Sequence, residues 1–169
     1  MKHLILCRHA KSSWKDQSLH DIERPLNKRG KRDAPVMGER LYGHGIVPDV
    51  ILSSPARRAV KTARQLAKKT GFPRKHITVI DDMYGASPDR LLVLIQGLNN
   101  TCTTAALVGH NPETTLLANM LGGLDIYNVP TCGIVVLEFD VGSWEDVGVR
   151  QGTQLFFDYP RKADRQEQS

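Results

Sequence analysis

Cysteine is scarce in this chain and never paired in sequence. Cys7, Cys102 and Cys132 are odd in number and form no Cys-x-x-Cys motif, which argues against a disulfide scaffold or a zinc site and fits a reducing compartment, the three thiols serving as small core residues. Long hydrophobic runs are missing too. The opening run Leu4-Ile5-Leu6-Cys7 is too short to cross a bilayer and has no small-residue cleavage site after it, so the expected location is the cytoplasm, with no membrane partner. The formal charge of +5 is spread along the chain rather than gathered in a block, so it permits anionic partners without naming one. Aromatic residues make up only 6% of the chain and are not interleaved with the basic residues as a stacking platform, which speaks against nucleic acid. No Gly-x-x-x-x-Gly-Lys segment follows a strand, which removes the P-loop enzymes. A cysteine-dependent phosphatase would need arginine six positions after its cysteine to cradle phosphate in one loop. Those positions hold Ser13, Val108 and Glu138.

What is present is an alternation of strands and helices over a length of 169 residues, suited to one domain with one core. The expected domain spans residues 1–160, and the polar stretch from Arg161 to Ser169 reads as a frayed tail. Leu4 to Cys7 reads as a strand buried on both faces. After a polar loop from Ser13 to Leu26, Asn27 caps a helix over Lys28 to Tyr42 that Gly43-His44-Gly45 stops. Val50-Ile51-Leu52 is the second strand, and Ser54-Pro55 supplies a cap and a first-position proline for a helix running to Lys69 or Thr70. The same grammar returns in the strand from Ile77 to Ile80 with a helix opened by Ser87-Pro88-Asp89. It returns again in the strand from Thr104 to Val108 with a helix opened by Asn111-Pro112-Glu113 and closed by Gly122-Gly123. Such βαβ units imply an α/β fold with a mostly parallel sheet. Gly133 to Phe139 and Thr153 to Phe157 read instead as a hairpin-like pair, an antiparallel edge.

Three junctions between strand and helix carry unusual residues to one edge of that sheet, where open α/β sheets bind ligands. Arg8 and His9 follow the first strand, Arg58 lies in the turn opening the second helix, and His110 follows the fourth strand. Two guanidinium groups, two imidazoles and the amino termini of helices suit a phosphoryl dianion. The cations are expected to hold His9 neutral, with one ring nitrogen free to attack phosphorus and the other proton fixed by a backbone carbonyl. Arg57 is expected in solvent, Trp14 in a loop near the pocket, and Tyr127, Trp144 and Tyr159 in the core or at its edge.

Arg8-His9-Ala10, the run from Ser53 to Ala63 containing Arg57-Arg58, and Gly109-His110-Asn111-Pro112 together resemble the three signatures of the histidine phosphatase superfamily. That group also contains the cofactor-dependent phosphoglycerate mutases. The resemblance implies a three-layer α/β/α sandwich of the phosphoglycerate mutase-like kind, with a mostly parallel sheet and an antiparallel edge. It also implies a phosphohistidine mechanism that uses neither metal nor cofactor. His9 matches the nucleophile, while Arg8, Arg58 and His110 match the groups that hold the phosphoryl oxygens. Where the family usually has glycine after the histidine, this chain has Ala10, which bears on the local backbone torsion. The family often places a glutamate near the third strand as proton donor, and Asp81 and Asp82 are the nearest equivalents, with Asp82 preferred. The short length, Arg8-His9-Ala10-Lys11-Ser12 and Arg24-Pro25-Leu26 most resemble the SixA type, the phosphohistidine phosphatases. On that resemblance Arg24 joins the substrate contacts, and the expected partner is a phosphorylated protein, such as a histidine phosphotransfer protein; Lys11 and Ser12 are expected to line the pocket mouth as further substrate contacts, with plain loop roles as the alternative. A small-molecule phosphomonoesterase or mutase on the same scaffold is the competing expectation, and a phosphoprotein-binding module without catalysis is the third.

Overall fold

The computed structural model describes residues 1–162. The polar tail expected from Arg161 onward therefore lies, from residue 163, outside the described residues. Six strands, β1 (Lys2–Arg8), β2 (Val50–Ser53), β3 (Thr78–Val79), β4 (Thr104–Gly109), β5 (Ile134–Phe139) and β6 (Thr153–Asp158), form one sheet in the order β3-β2-β4-β1-β5-β6. The first four of these neighbours run parallel, while β5 is antiparallel to β1 and β6 to β5. The mostly parallel sheet and its antiparallel edge are as the sequence predicts.

Alternation along β1 divides the core into two layers. Leu4 and Leu6 enter a cluster with Leu91 and Ile95 of α3 (Pro88–Gln96) and Leu117 and Leu121 of α4 (Glu113–Gly122). Ile5 and Cys7 enter the other, with Met37 and Leu41 of α1 (Lys28–Gly43) and Ala63 and Leu66 of α2 (Arg57–Thr70). Helices thus cover both faces, and each fully buried leucine contributes roughly 1.5–3 kcal/mol. Cys7 and Cys132 are buried as expected, whereas Cys102 is half-buried.

Helix boundaries follow local chemistry. Asn27 Oδ1 accepts from Gly30 N at 2.9 Å, and Ser87 Oγ accepts from Arg90 N at 3.2 Å, so both caps form as predicted. Gly71, at φ 80°, ends α2 in the left-handed conformation that glycine adopts without strain. Helix α2 departs from expectation. Ser54 does not cap it and Pro55 is not its first residue; Ser54 Oγ accepts from Ala56 N at 3.2 Å and meets His110 Nε2 at 2.7 Å, and the helix starts at Arg57. Likewise α4 begins at Glu113, one residue later than the Asn111 cap implies, although Asn111 Oδ1 still accepts from Thr115 N at 3.2 Å. Strand β3 shrinks to Thr78–Val79, both exposed, since it pairs on one side only with the end of β2. Trp144 is fully buried, but Tyr127 is fully exposed rather than a core or edge aromatic.

This topology places the site. Arg8 is in register with Gly109 on the parallel neighbour β4, so the next residues, His9 and His110, leave the sheet side by side. The helix after β1 packs on one face and the helix after β4 on the other. A crevice therefore opens at the carboxyl ends of these two central strands.

Candidate active site

His9 is pinned through its main chain. Its N–H donates to Gly109 O at 2.9 Å and its carbonyl accepts from Cys132 N at 3.0 Å, which ties it to the end of β4 and to the approach to β5. Ala10, fully buried, donates from its N–H to Thr62 Oγ1 at 2.9 Å, and Thr62 donates in turn to Arg58 O at 2.8 Å. The turn that carries the imidazole is thus bound to the first turns of α2. Positive φ at non-glycine residues occurs at Cys132 and Arg150, not at Ala10, so the methyl group costs the turn no backbone strain.

The imidazole is only 8% exposed. Its Nδ1 lies 2.7 Å from Ala10 O, and since a carbonyl only accepts, Nδ1 carries the proton. That fixes the lone pair on Nε2. Burial pushes the His9 pKa down to about 3, with His110, Arg58 and Arg8 adding to the effect and the Ala10 carbonyl opposing it. The expected neutral imidazole is found, but desolvation outweighs the neighbouring cations as its cause.

The second imidazole stands beside the first, with ring centroids 5.1 Å apart and planes tilted by 57°. Ser54 Oγ accepts from Ala56 N at 3.2 Å and shares a hydrogen bond with His110 Nε2 at 2.7 Å. Burial again comes first among the causes that lower the His110 pKa to about 4, followed by Arg58.

Arg8 donates from Nη1 to Val129 O at 3.0 Å, while its buried Nε has no hydrogen-bond partner. A buried N–H without an acceptor is costly, and an anion in the crevice would satisfy it. Arg58, 6% exposed, is held by a residue that the sequence did not single out: its Nη1 donates to Asp21 O at 2.6 Å and its Nη2 to Asp21 Oδ2 at 2.9 Å. Asp21 also accepts from Tyr84 Oη at 2.6 Å and from Arg24 Nη1 at 3.0 Å. The Tyr84 hydrogen bond, reinforced by Arg58 and Arg24 against an opposing burial penalty, keeps the Asp21 carboxyl well below the usual carboxylate range. Tyr84 in turn meets His110 edge-on, with centroids 5.6 Å apart.

The other expected contacts lie differently. Arg24 is buried and spent on its own loop, donating from Nε to Ser13 O at 3.1 Å and from Nη2 to Ser12 Oγ at 2.5 Å, with Trp14 stacked 3.2 Å from its guanidinium carbon. Ser12 is thereby taken up as well. Lys11 anchors the loop by its main chain, its carbonyl accepting from Asn27 N at 3.0 Å. Asp82 is exposed and paired with Arg90 at 2.8 Å. Among the described residues no hydrogen bond, ion pair or ring contact joins it to Arg8, His9, Arg58 or His110. The third junction contributes Tyr84 instead. Arg57 is exposed as expected. Among the described residues no group of three or more His, Cys, Asp or Glu side chains is disposed to hold a metal ion.

A profile of the histidine phosphatase superfamily (branch 1) matches residues 4–87. An uncharacterized chloroplastic protein of Arabidopsis thaliana is 34% identical over 159 residues, covering 89% of this chain and 72% of its own length. An uncharacterized protein of Mycobacterium tuberculosis is 33% identical over 166 residues, covering 91% of this chain and 99% of its own. Among solved structures, a protein from Agrobacterium tumefaciens described as a candidate phosphohistidine phosphatase SixA superposes with a TM-score of 0.81 at 27% identity. That match covers 94% of this chain and 98% of the other.

Proposed function

The chain belongs to the histidine phosphatase superfamily, and from that premise we propose that it is a metal-independent phosphatase working through a phosphohistidine on His9, with a phosphohistidine side chain of another protein as substrate. The observation that carries this reading is the His9 ring, with its Nδ1 proton held by Ala10 O and no described residue donating to Nε2. Nε2 attacks phosphorus in line while Arg8, Arg58 and His110 hold the phosphoryl oxygens. The bond from phosphorus to the substrate nitrogen breaks as the new one forms. His9 then carries phosphate on Nε2 and its original proton on Nδ1. Water attacks this phosphorus next, and His9 leaves as neutral imidazole without needing a new proton. The water keeps its oxygen on phosphorus and yields its proton to the solvent, completing inorganic phosphate.

Leaving-group chemistry supports the nitrogen-linked substrate. An alkyl phosphate expels an alkoxide and needs an acid at the breaking bond. A phosphoimidazole protonated on its distal nitrogen leaves as neutral imidazole and needs none. Of the candidate acids, Asp82 is paired with Arg90 away from the cluster, and Asp21 is held ionised by Tyr84 and two arginines. The test compares kcat/KM for a phosphohistidine-containing protein with that for small phosphate monoesters. Preference for the phosphohistidine protein by about a hundredfold or more is expected, and preference for the monoesters would overturn the substrate assignment.

A further inference from the structure

Along the loop that carries Asp21 lies an open groove of about 790 Å³, lined by neither His9 nor His110. Its floor is Leu19, Pro25 and Leu26, and Lys15, Lys28, Lys31 and Arg57 rise from its sides. A second depression shares Pro25, Leu26, Lys31 and Arg57 and extends it to Lys61. All five cations are exposed, and among the described residues none of them forms an ion pair. Arg29, which also lines the groove, is occupied by Thr131 and Asp33. The one lining acid, Asp16, is occupied by Ser18 through N–H at 3.0 Å and Oγ at 2.6 Å. These bonds favour the charged form of Asp16, but one carboxylate against five cations without ion pairs leaves the surface positive.

The surroundings sharpen the imbalance. Helices α3 and α4 open with Asp89 and Glu113, the charge that the positive end of a helix favours. Helices α1 and α2 have no acid in their first turns and carry Lys28, Arg29, Lys31, Arg57 and Arg58 there or just beyond. Arg29 and Arg58 are paired with Asp33 and Asp21, but the repulsion among Lys28, Lys31 and Arg57 is left standing beside an apolar floor, which an anionic polypeptide would relieve while burying that floor. No aromatic side chain lines either depression, so the groove itself offers bases no stacking platform. Groove and crevice are joined covalently, since the segment from Lys11 to Asn27 supplies Asp21 to one and Lys15, Leu19, Pro25 and Leu26 to the other, and Arg57 adjoins Arg58.

We propose that this groove docks an acidic segment of the phosphorylated partner protein, placing the partner beside the crevice; the proposal builds on the phosphohistidine reading and extends it to partner choice. The probes are a fluorescent glutamate-rich peptide, the same peptide with glutamine in place of glutamate, and an oligothymidylate of similar length, with binding followed by anisotropy at low salt. The glutamate peptide is expected to bind at least about tenfold tighter than the glutamine peptide. That preference is lost in a Lys28→Glu, Lys31→Glu, Lys61→Glu variant and kept in a Lys68→Glu, Lys75→Glu variant with charges reversed elsewhere. Equal binding of the two peptides, equal loss in both variants, or tighter binding of the oligothymidylate would overturn the proposal. Free phosphohistidine separates the two readings. Its turnover should match between the groove variant and the parent, whereas no turnover by the parent, with the peptide preference intact, would sink the catalytic reading and leave the groove standing.

Discussion

His9 is the residue whose environment has the clearest consequences in solution. With a folded pKa near 3 and an ordinary value near 6.5, the unfolded chain binds a proton between those limits that the folded protein refuses. Stability therefore rises with pH through that window and falls on acidification, by about 1.4 kcal/mol per pH unit for such a group. His110 acts in the same direction down to about 4. Asp21, with its pKa depressed, adds stability above the usual carboxylate range that is lost as the pH falls further. Between pH 7 and pH 5 the parent protein should lose about 2 kcal/mol more in urea titrations than His9→Gln does; equal losses would show that His9 titrates normally. Asp21 and Asp82 separate just as sharply. Asp21→Asn removes the charge that braces Arg58 and should lower kcat/KM for a phosphohistidine substrate by about tenfold or more, while Asp82→Asn should stay within about twofold. The positions of Arg8, His9, Arg58 and His110 were legible in the sequence because Arg8 ends a strand, His9 and His110 each follow one, and Arg58 lies in a helix-opening turn. Asp21, Ser54 and Tyr84 were not, because their roles come from contacts between loops that no periodicity records.

At the scale of elements, the caps at Asn27 and Ser87 could be read directly, since a side chain bonding three residues ahead is local chemistry. Ser54-Pro55 carries the same local signal, yet its hydroxyl serves His110, 56 residues away, and the helix starts later. Its oxygen accepts from Ala56 N in a turn ahead of the helix while also meeting His110, a tertiary partner that the sequence had no means of showing. Gly30 gives the strongest test of how α1 meets the loop. A Cβ there would run into the Lys11 carbonyl oxygen, which is main chain and cannot swing aside. Gly30→Ala should therefore destabilise the protein by about 1–3 kcal/mol despite the higher helix propensity of alanine, as read from thermal or urea unfolding. A stabilised variant would mean that the loop and the helix can separate. By contrast Asn27→Ala, which removes only the cap, should cost about 1 kcal/mol.

For the whole molecule, the parallel sheet and antiparallel edge were legible because helix-length segments between short apolar strands leave few ways to connect them. Strand order was not, and it determines which residues meet. Only when β4 lies directly beside β1, with β5 on the other flank, do two histidines 101 positions apart leave the sheet together. The catalytic proposal depends on that adjacency and on the proton that Ala10 O holds on Nδ1. The most direct test is to quench the enzyme during turnover and map the covalently bound phosphate. The expected result is an acid-labile phosphate on Nε2 of His9, absent from His9→Ala. Phosphate on Nδ1 of His9, on a different residue, or on none while turnover proceeds would contradict the account.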